Sequence, residues 1–116
     1  MATPESSAHA IFKQKIVEAK DGDTVLALKN LVPVRLIKNK FWELVKDLES
    51  KGASREDMAE LLGHGRAKLG MFEGDEDEGE LEIGQVSALI DEIKPAAEIV
   101  KEMMEEFEEA RELMAT

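Results

Sequence analysis

The chain has no cysteine and no tyrosine, one tryptophan and three prolines in 116 residues. The missing thiols exclude a disulfide framework, a cysteine-based zinc site and a thiol nucleophile, and they suit a reducing cytoplasm, which is the expected location. No apolar run approaches the ~20 residues that cross a bilayer, and the N-terminus carries no basic-then-apolar signal pattern. Cations are scarce in one region: residues 71–116 hold 16 Asp and Glu against 3 Lys and Arg, a net of −13, whereas residues 1–70 stand at +2. An acidic third of this kind repels phosphate backbones. Lys13, Lys15, Lys38, Lys40, Lys46, Arg66 and Lys68 are scattered among apolar residues and read as solvated faces. Neither a nucleic acid nor a membrane is therefore expected as a partner.

What is present is mostly helical periodicity. Ser6 or Ser7 can cap a first helix whose stripe is Ala8, Ile11, Phe12, Ile16 and Ala19, ending at Asp21-Gly22-Asp23. Residues 24–28 and 34–37 are short apolar runs on either side of Lys29-Asn30, and Pro33 must lie at an edge or a strand start, so a small antiparallel sheet is expected. Helical spacing returns at Phe41, Leu44, Val45 and Leu48, with Asn39 as cap, and again at Met58, Leu61 and Leu62 after the Ser54/Asp57 capping-box pair. The glycines from Gly63 to Gly70 read as a loop or frayed turn. The last helix is the clearest. Pro95 suits its first turn, and Ile99, Val100, Met103, Met104, Phe107, Ala110 and Met114 keep one apolar stripe beneath a glutamate-rich outer face. The fold class is thus α+β, mostly helical, with a small antiparallel sheet and five or so helices.

The most informative stretch is Gly70-Met71-Phe72-Glu73-Gly74-Asp75-Glu76-Asp77-Glu78-Gly79-Glu80-Leu81-Glu82-Ile83-Gly84-Gln85, followed by Val86, Leu89, Ile90 and Ile93 at i, i+3, i+4, i+7. A solvated acidic loop, then a glycine, then a helix start is an order that builds a ligand edge. The backbone at Gly84 can approach a flat ligand closely, and the first N–H groups of the helix are left open. The acidic residues invite a calcium reading, but the register fails. With Gly79 at the sixth loop position, Gly74 falls at the first and Gln85 at the twelfth, where an EF-hand needs acids. His9 and His64 are the only groups titrating near neutrality unperturbed, and neither has a Ser/Asp arrangement beside it.

Together with Pro33-Val34-Arg35-Leu36-Ile37-Lys38-Asn39-Lys40-Phe41, this stretch resembles the C-terminal part of the FMN-dependent nitronate monooxygenases, formerly 2-nitropropane dioxygenases, and of the related enoyl-ACP reductase II enzymes. The resemblance covers nearly the whole chain and implies a (β/α)8 flavoenzyme barrel of more than twice its length. It divides the chain into a small α+β insert (lid) domain at 1–70, an acidic loop at 71–83 and C-terminal barrel-type helices at 84–116. It also implies that Gly84, Gln85 and Ser87 lie against the flavin ring: Gly84 permitting approach, Gln85 hydrogen bonding and Ser87 adding a hydroxyl. The family's catalytic His and phosphate grip fall upstream, so no catalytic residue is expected here, and FMN is expected in the intact enzyme but not on this chain alone. The expected partner is the missing barrel portion or, failing that, a second copy in a homo-oligomer. A free-standing acidic helical interaction module is the rival reading.

Overall fold

The computed structural model describes residues 1–115; Thr116, the end of the expected C-terminal segment, lies outside the described residues. Helix α1 (Ala10–Glu18) leads to strands β1 (Thr24–Ala27) and β2 (Val34–Ile37), which pair antiparallel with Thr24 opposite Ile37 and Ala27 opposite Val34. Helices α2 (Lys40–Ser50), α3 (Arg55–Leu62) and α4 (Arg66–Met71) follow, and after an irregular stretch a 3-10 turn (Gln85–Leu89) precedes α5 (Ala96–Ala115). This is the expected mostly helical α+β architecture.

The helices start where local chemistry satisfies their free N–H groups. Ser54 accepts from Asp57 N–H while the Asp57 carboxylate accepts from Ser54 N–H, a complete capping box for α3. Asn39 Oδ1 accepts from Trp42 N–H at 2.9 Å and starts α2. The cap of α1 is not Ser6 or Ser7 but His9, whose Nδ1 accepts from Ile11 N–H at 3.1 Å and whose N–H donates to the Met71 carbonyl at 2.8 Å. Tertiary anchoring to Met71 selects His9 over the stronger intrinsic cappers. The stretch after Gly63, expected to be a loop, is instead helix α4, and its glycine at position 70 is needed because Gly79 packs on it backbone to backbone.

Two cores lie on either side of β2. Successive strand residues point to opposite faces, and Leu36 enters a core with Ala27, Leu28, Phe41, Val45 and Met58 while Ile37 packs against the other, built from Ala8, Phe12, Ile16, Leu81 and Ile83. Phe12 and Phe41 are 1% and 0% exposed, and burying each stabilises by roughly 2–3 kcal/mol. Leu28, buried in the second core, turns the chain at φ +55. Left-handed backbone costs a leucine on the order of 1 kcal/mol, which the packing of its side chain offsets.

Helix α5 is different. None of its described residues is buried, and Val100, Met103, Met104 and Phe107 are each more than half exposed. Its start is tied to the rest of the chain. The Glu5 carboxylate caps it, accepting from Ala96 N–H at 3.1 and 3.2 Å, and Lys94 bridges Glu92 and Glu102. No helix among the described residues is long and apolar enough to cross a membrane.

Candidate functional site

The edge at residues 84–87 is set by the segment before it. Leu81 and Ile83 are buried in the first core, the Leu81 carbonyl accepts from Ile37 N–H at 3.0 Å, and Glu82 forms an isolated bridge with Leu36. Residues 81–83 therefore run alongside β2 through a single bridge, and Gly84 emerges from that stretch exposed, at φ −82. An α-carbon substituent there would meet nothing within 4 Å. The fold itself makes no demand for a glycine at 84. Gln85 is exposed as well, and no side chain caps the turn that begins there.

The helix expected from Val86, Leu89, Ile90 and Ile93 does not form. Only the 3-10 turn is present, closed by Ser87 N–H to the Gly84 carbonyl at 3.1 Å and Ile90 N–H to the Ser87 carbonyl at 3.0 Å. A short helix survives by packing its apolar face, and here Val86 and Leu89 are 62% and 81% exposed, with Ile90 alone packed against the core. Pro95 also disfavours helical geometry at Lys94. Of the three residues expected at a flavin, Gly84 and Gln85 stand open together, whereas Ser87 is 5% exposed beneath the turn.

The acidic segment, expected to be a solvated loop, is held in place by Asn39, Phe41 and Arg66, and lysines pair with its carboxylates. Asn39 Nδ2 donates to the carbonyls of Glu76 and Gly79 at 2.9 and 2.8 Å, Phe41 N–H donates to the Asp77 carbonyl at 2.9 Å, and Arg66 donates to the Glu78 carbonyl at 2.8 Å. Asp75 Oδ1 closes the turn, accepting from Asp77 and Glu78 N–H at 3.1 and 2.9 Å. Lys15 pairs with Glu76 at 3.1 Å, Lys40 with Glu78 at 2.7 Å and Lys68 with Glu73 at 3.4 Å. The Lys40 hydrogen bond holds the Glu78 carboxyl below the usual range, and Glu78 raises Lys40 in turn. Lysines read as solvated faces are thus partners of the acidic turn. Among the described residues, no three His, Asp or Glu side chains converge on a common point.

Asn39 and Arg66 are the positions that residue-by-residue reading undervalued. Asn39 was legible as a cap, but its second task, bracketing a turn 37 to 40 residues away, leaves no local signal. Arg66 lies over the Phe41 ring at 4.5 Å while its guanidinium ties α4 to the acidic turn. Neither histidine lies at the 84–87 edge. His9 caps α1, and His64 lines a shallow groove with residues 60–69.

This ordered arrangement, an acidic turn clamped by an Asn-Lys pair and delivering an exposed Gly-Gln edge, has counterparts elsewhere. A family model for nitronate monooxygenase matches residues 1–106. The chain belongs to that family. Among solved structures it is similar to FabK from Thermotoga maritima, with a TM-score of 0.85 and 33% identity over 98% of this chain and 36% of that one. It is also similar to a point mutant of the same FabK, with a TM-score of 0.78 and 32% identity over 98% of this chain and 33% of the other. It therefore spans about a third of the length of the FabK structures it matches. No curated protein sequence matches it. The nitronate monooxygenase resemblance read from the acidic turn and its flanks is thus a membership, and the α+β fold is that of part of a FabK enzyme.

Proposed function

We propose that this chain is the C-terminal portion of an FMN-dependent oxidoreductase of the nitronate monooxygenase and enoyl-ACP reductase II type, covering the flavin and the substrate entrance. One observation carries the reading: 98% of the chain superposes on 36% of FabK at a TM-score of 0.85, so nearly every element here has a counterpart in a longer enzyme of the family. The exposed backbone of Gly84 and Gln85 fits a flat ring laid along it. There is open space at the glycine, and the first N–H groups of the turn lack a side-chain partner. A bound flavin supplies reversible two-electron redox chemistry at its ring. Gly84 would permit its approach and Gln85 would donate or accept at its polar edge, with both groups of the amide available. Ser87 completes the proposed contact set, and the structure has it supporting the turn. The apolar stripe of α5 is the surface that packs on the remainder of the fold.

On this reading the chain by itself holds FMN weakly or not at all. Phosphate recognition contributes charge-assisted hydrogen bonds of roughly 1.5–3 kcal/mol each, and in this proposal they come from other parts of the enzyme. Titrating FMN fluorescence against the protein tests this. Little quenching is the expected result, and submicromolar affinity would overturn the division of labour.

The uncovered stripe favours one further reading, self-association through α5. Its acidic outer face repels a second copy, so added salt is expected to promote dimers by screening. Sedimentation at low and ~0.5 M salt distinguishes this from a strict monomer.

A further inference from the structure

Helix α5 carries Ala96, Val100, Met103, Phe107, Ala110 and Met114 at alternating spacings of four and three, the heptad spacing of a helix-pairing seam. All six are exposed, and Val100, Met103, Phe107 and Met114 each by more than half. Six of the seven glutamates of the helix, at 98, 102, 105, 108, 109 and 112, lie off the seam and off the positions that border it, so the acidic face stays in water when the seam is covered. Glu106 alone borders it.

Two copies can lay this seam together in either direction. Run parallel, each residue meets itself, so that Ala96 and Ala110 leave gaps while Phe107 crowds Phe107. Run antiparallel about a two-fold axis beside residue 105, Ala96 meets Met114, Val100 meets Ala110, and Met103 meets Phe107 of the second copy. Both alanines then face a longer side chain, the two phenylalanines are kept apart, and each Met103 sulfur gains an aromatic ring. Along one side of this seam Met104 faces Met104 and Lys101 comes level with Glu108 of the second copy; along the other, Glu106 faces Glu106. The same register brings Met114 of the second copy to the foot of α5, where Ala2, Leu89, Ile90, Ile99 and Met103 line an open cleft of about 310 Å³.

We propose that two copies of this chain pair through α5 in the antiparallel register, with Met103 of each on Phe107 of the other and the far end of each helix beside that cleft. The inference rests on the self-association reading above and adds to it the direction, the register and the one repulsive border contact, Glu106 on Glu106. Screening that contact favours the pair, and at low salt and low concentration the helix stands alone.

The chain has no cysteine, so a nitroxide label can be placed singly through Glu98→Cys, Glu105→Cys or Glu112→Cys, all on the water-facing side. Pulsed electron paramagnetic resonance at ~0.5 M salt then reads the distance between the labels of the two copies. The shortest distance is expected at 105. Longer, matching distances are expected at 98 and 112, where the two labels stand about 21 Å apart along the axis. Sedimentation of the unlabelled chain from ~10 μM to ~1 mM is expected to show a dimer that Glu106→Gln strengthens severalfold at low salt. Phe107→Ser, at a site 55% exposed, is expected to abolish the dimer with Trp42 fluorescence unchanged. Equal label distances at all three sites, in a dimer that Phe107→Ser abolishes, overturn the register and spare self-association through α5. A dimer indifferent to Phe107→Ser overturns the surface. A strict monomer up to ~1 mM in ~0.5 M salt overturns both readings and leaves the stripe to the remainder of the fold.

Discussion

Gly79 and Gly84 look alike in the sequence and are opposite in the fold. A methyl at Gly79 would collide with the backbone of Gly70 and the Asp75 carbonyl, neither of which can yield without unseating α4 from the acidic turn. Gly79→Ala is expected to cost on the order of 3 kcal/mol in urea unfolding. Gly84→Ala, with open space and an ordinary φ, is expected to stay within about 0.5 kcal/mol of the parent. A large loss at 84 would mean that the edge is covered in solution. Glu80 sets the pH response. Its folded-state pKa of about 7 lies above the ordinary 4.5, so between these values the folded protein binds more protons than the unfolded chain, and stability falls as pH rises from about 4.5 through 7. Glu80→Gln removes that dependence. The variant is expected to gain on the order of 2 kcal/mol over the parent at pH ~8, and the gain is expected to vanish by pH ~4.5, below the window. Paired denaturation curves at the two pH values measure it, and an equal difference at both would contradict the assignment.

At the scale of elements, what could be read from the sequence was what local chemistry decides. The Ser54/Asp57 capping box, the Asn39 cap, the two short strands and the long stripe of α5 each depend on residues within a few positions of one another. The helix expected after Gly84 failed because periodicity counts apolar residues without knowing what covers them, and Val86 and Leu89 have no cover here. Helix α4 was missed because its one glycine, Gly70, serves a contact with Gly79 rather than a loop. The candidate site was legible only through the family resemblance, since nothing in the fold requires a glycine at 84. Asn39 tests the long-range part: its loss removes the α2 cap and strands the carbonyls of Glu76 and Gly79. Asn39→Ala is expected to cost about 3 kcal/mol, above the ~1 kcal/mol of a cap alone. For α5, hydrogen exchange is expected to show protection confined to its first turns, near the Glu5 cap and the Lys94 bridges, because an unpacked helix of this length is marginal in water. Uniform protection to residue 114 would mean that the stripe is covered.

At the scale of the whole molecule, the uneven charge of the sequence becomes an internal complementarity. Lys15, Lys40, Arg66 and Lys68 flank the acidic turn, and about half of the net −11 lies in α5 and its approach. Exposed ion pairs of this kind contribute only ~0–1 kcal/mol each, so the turn's position rests chiefly on the backbone bonds made by Asn39, Phe41 and Arg66. The molecule spans 55 × 32 × 20 Å, elongated for its size, with a helix whose apolar residues Val100, Met103, Met104 and Phe107 are each more than half exposed. Those features belong together if the chain is one part of a flavoenzyme fold. The most direct measurement exchanges the matching third of Thermotoga maritima FabK for this chain and reads FMN content by absorbance, with and without Gly84→Val. A folded chimera that retains flavin and loses much of it on Gly84→Val is expected, as is an intact fold for this chain with the same substitution, since a Cβ at Gly84 meets nothing within 4 Å. A folded chimera without flavin, or one whose flavin is indifferent to residue 84, would contradict it.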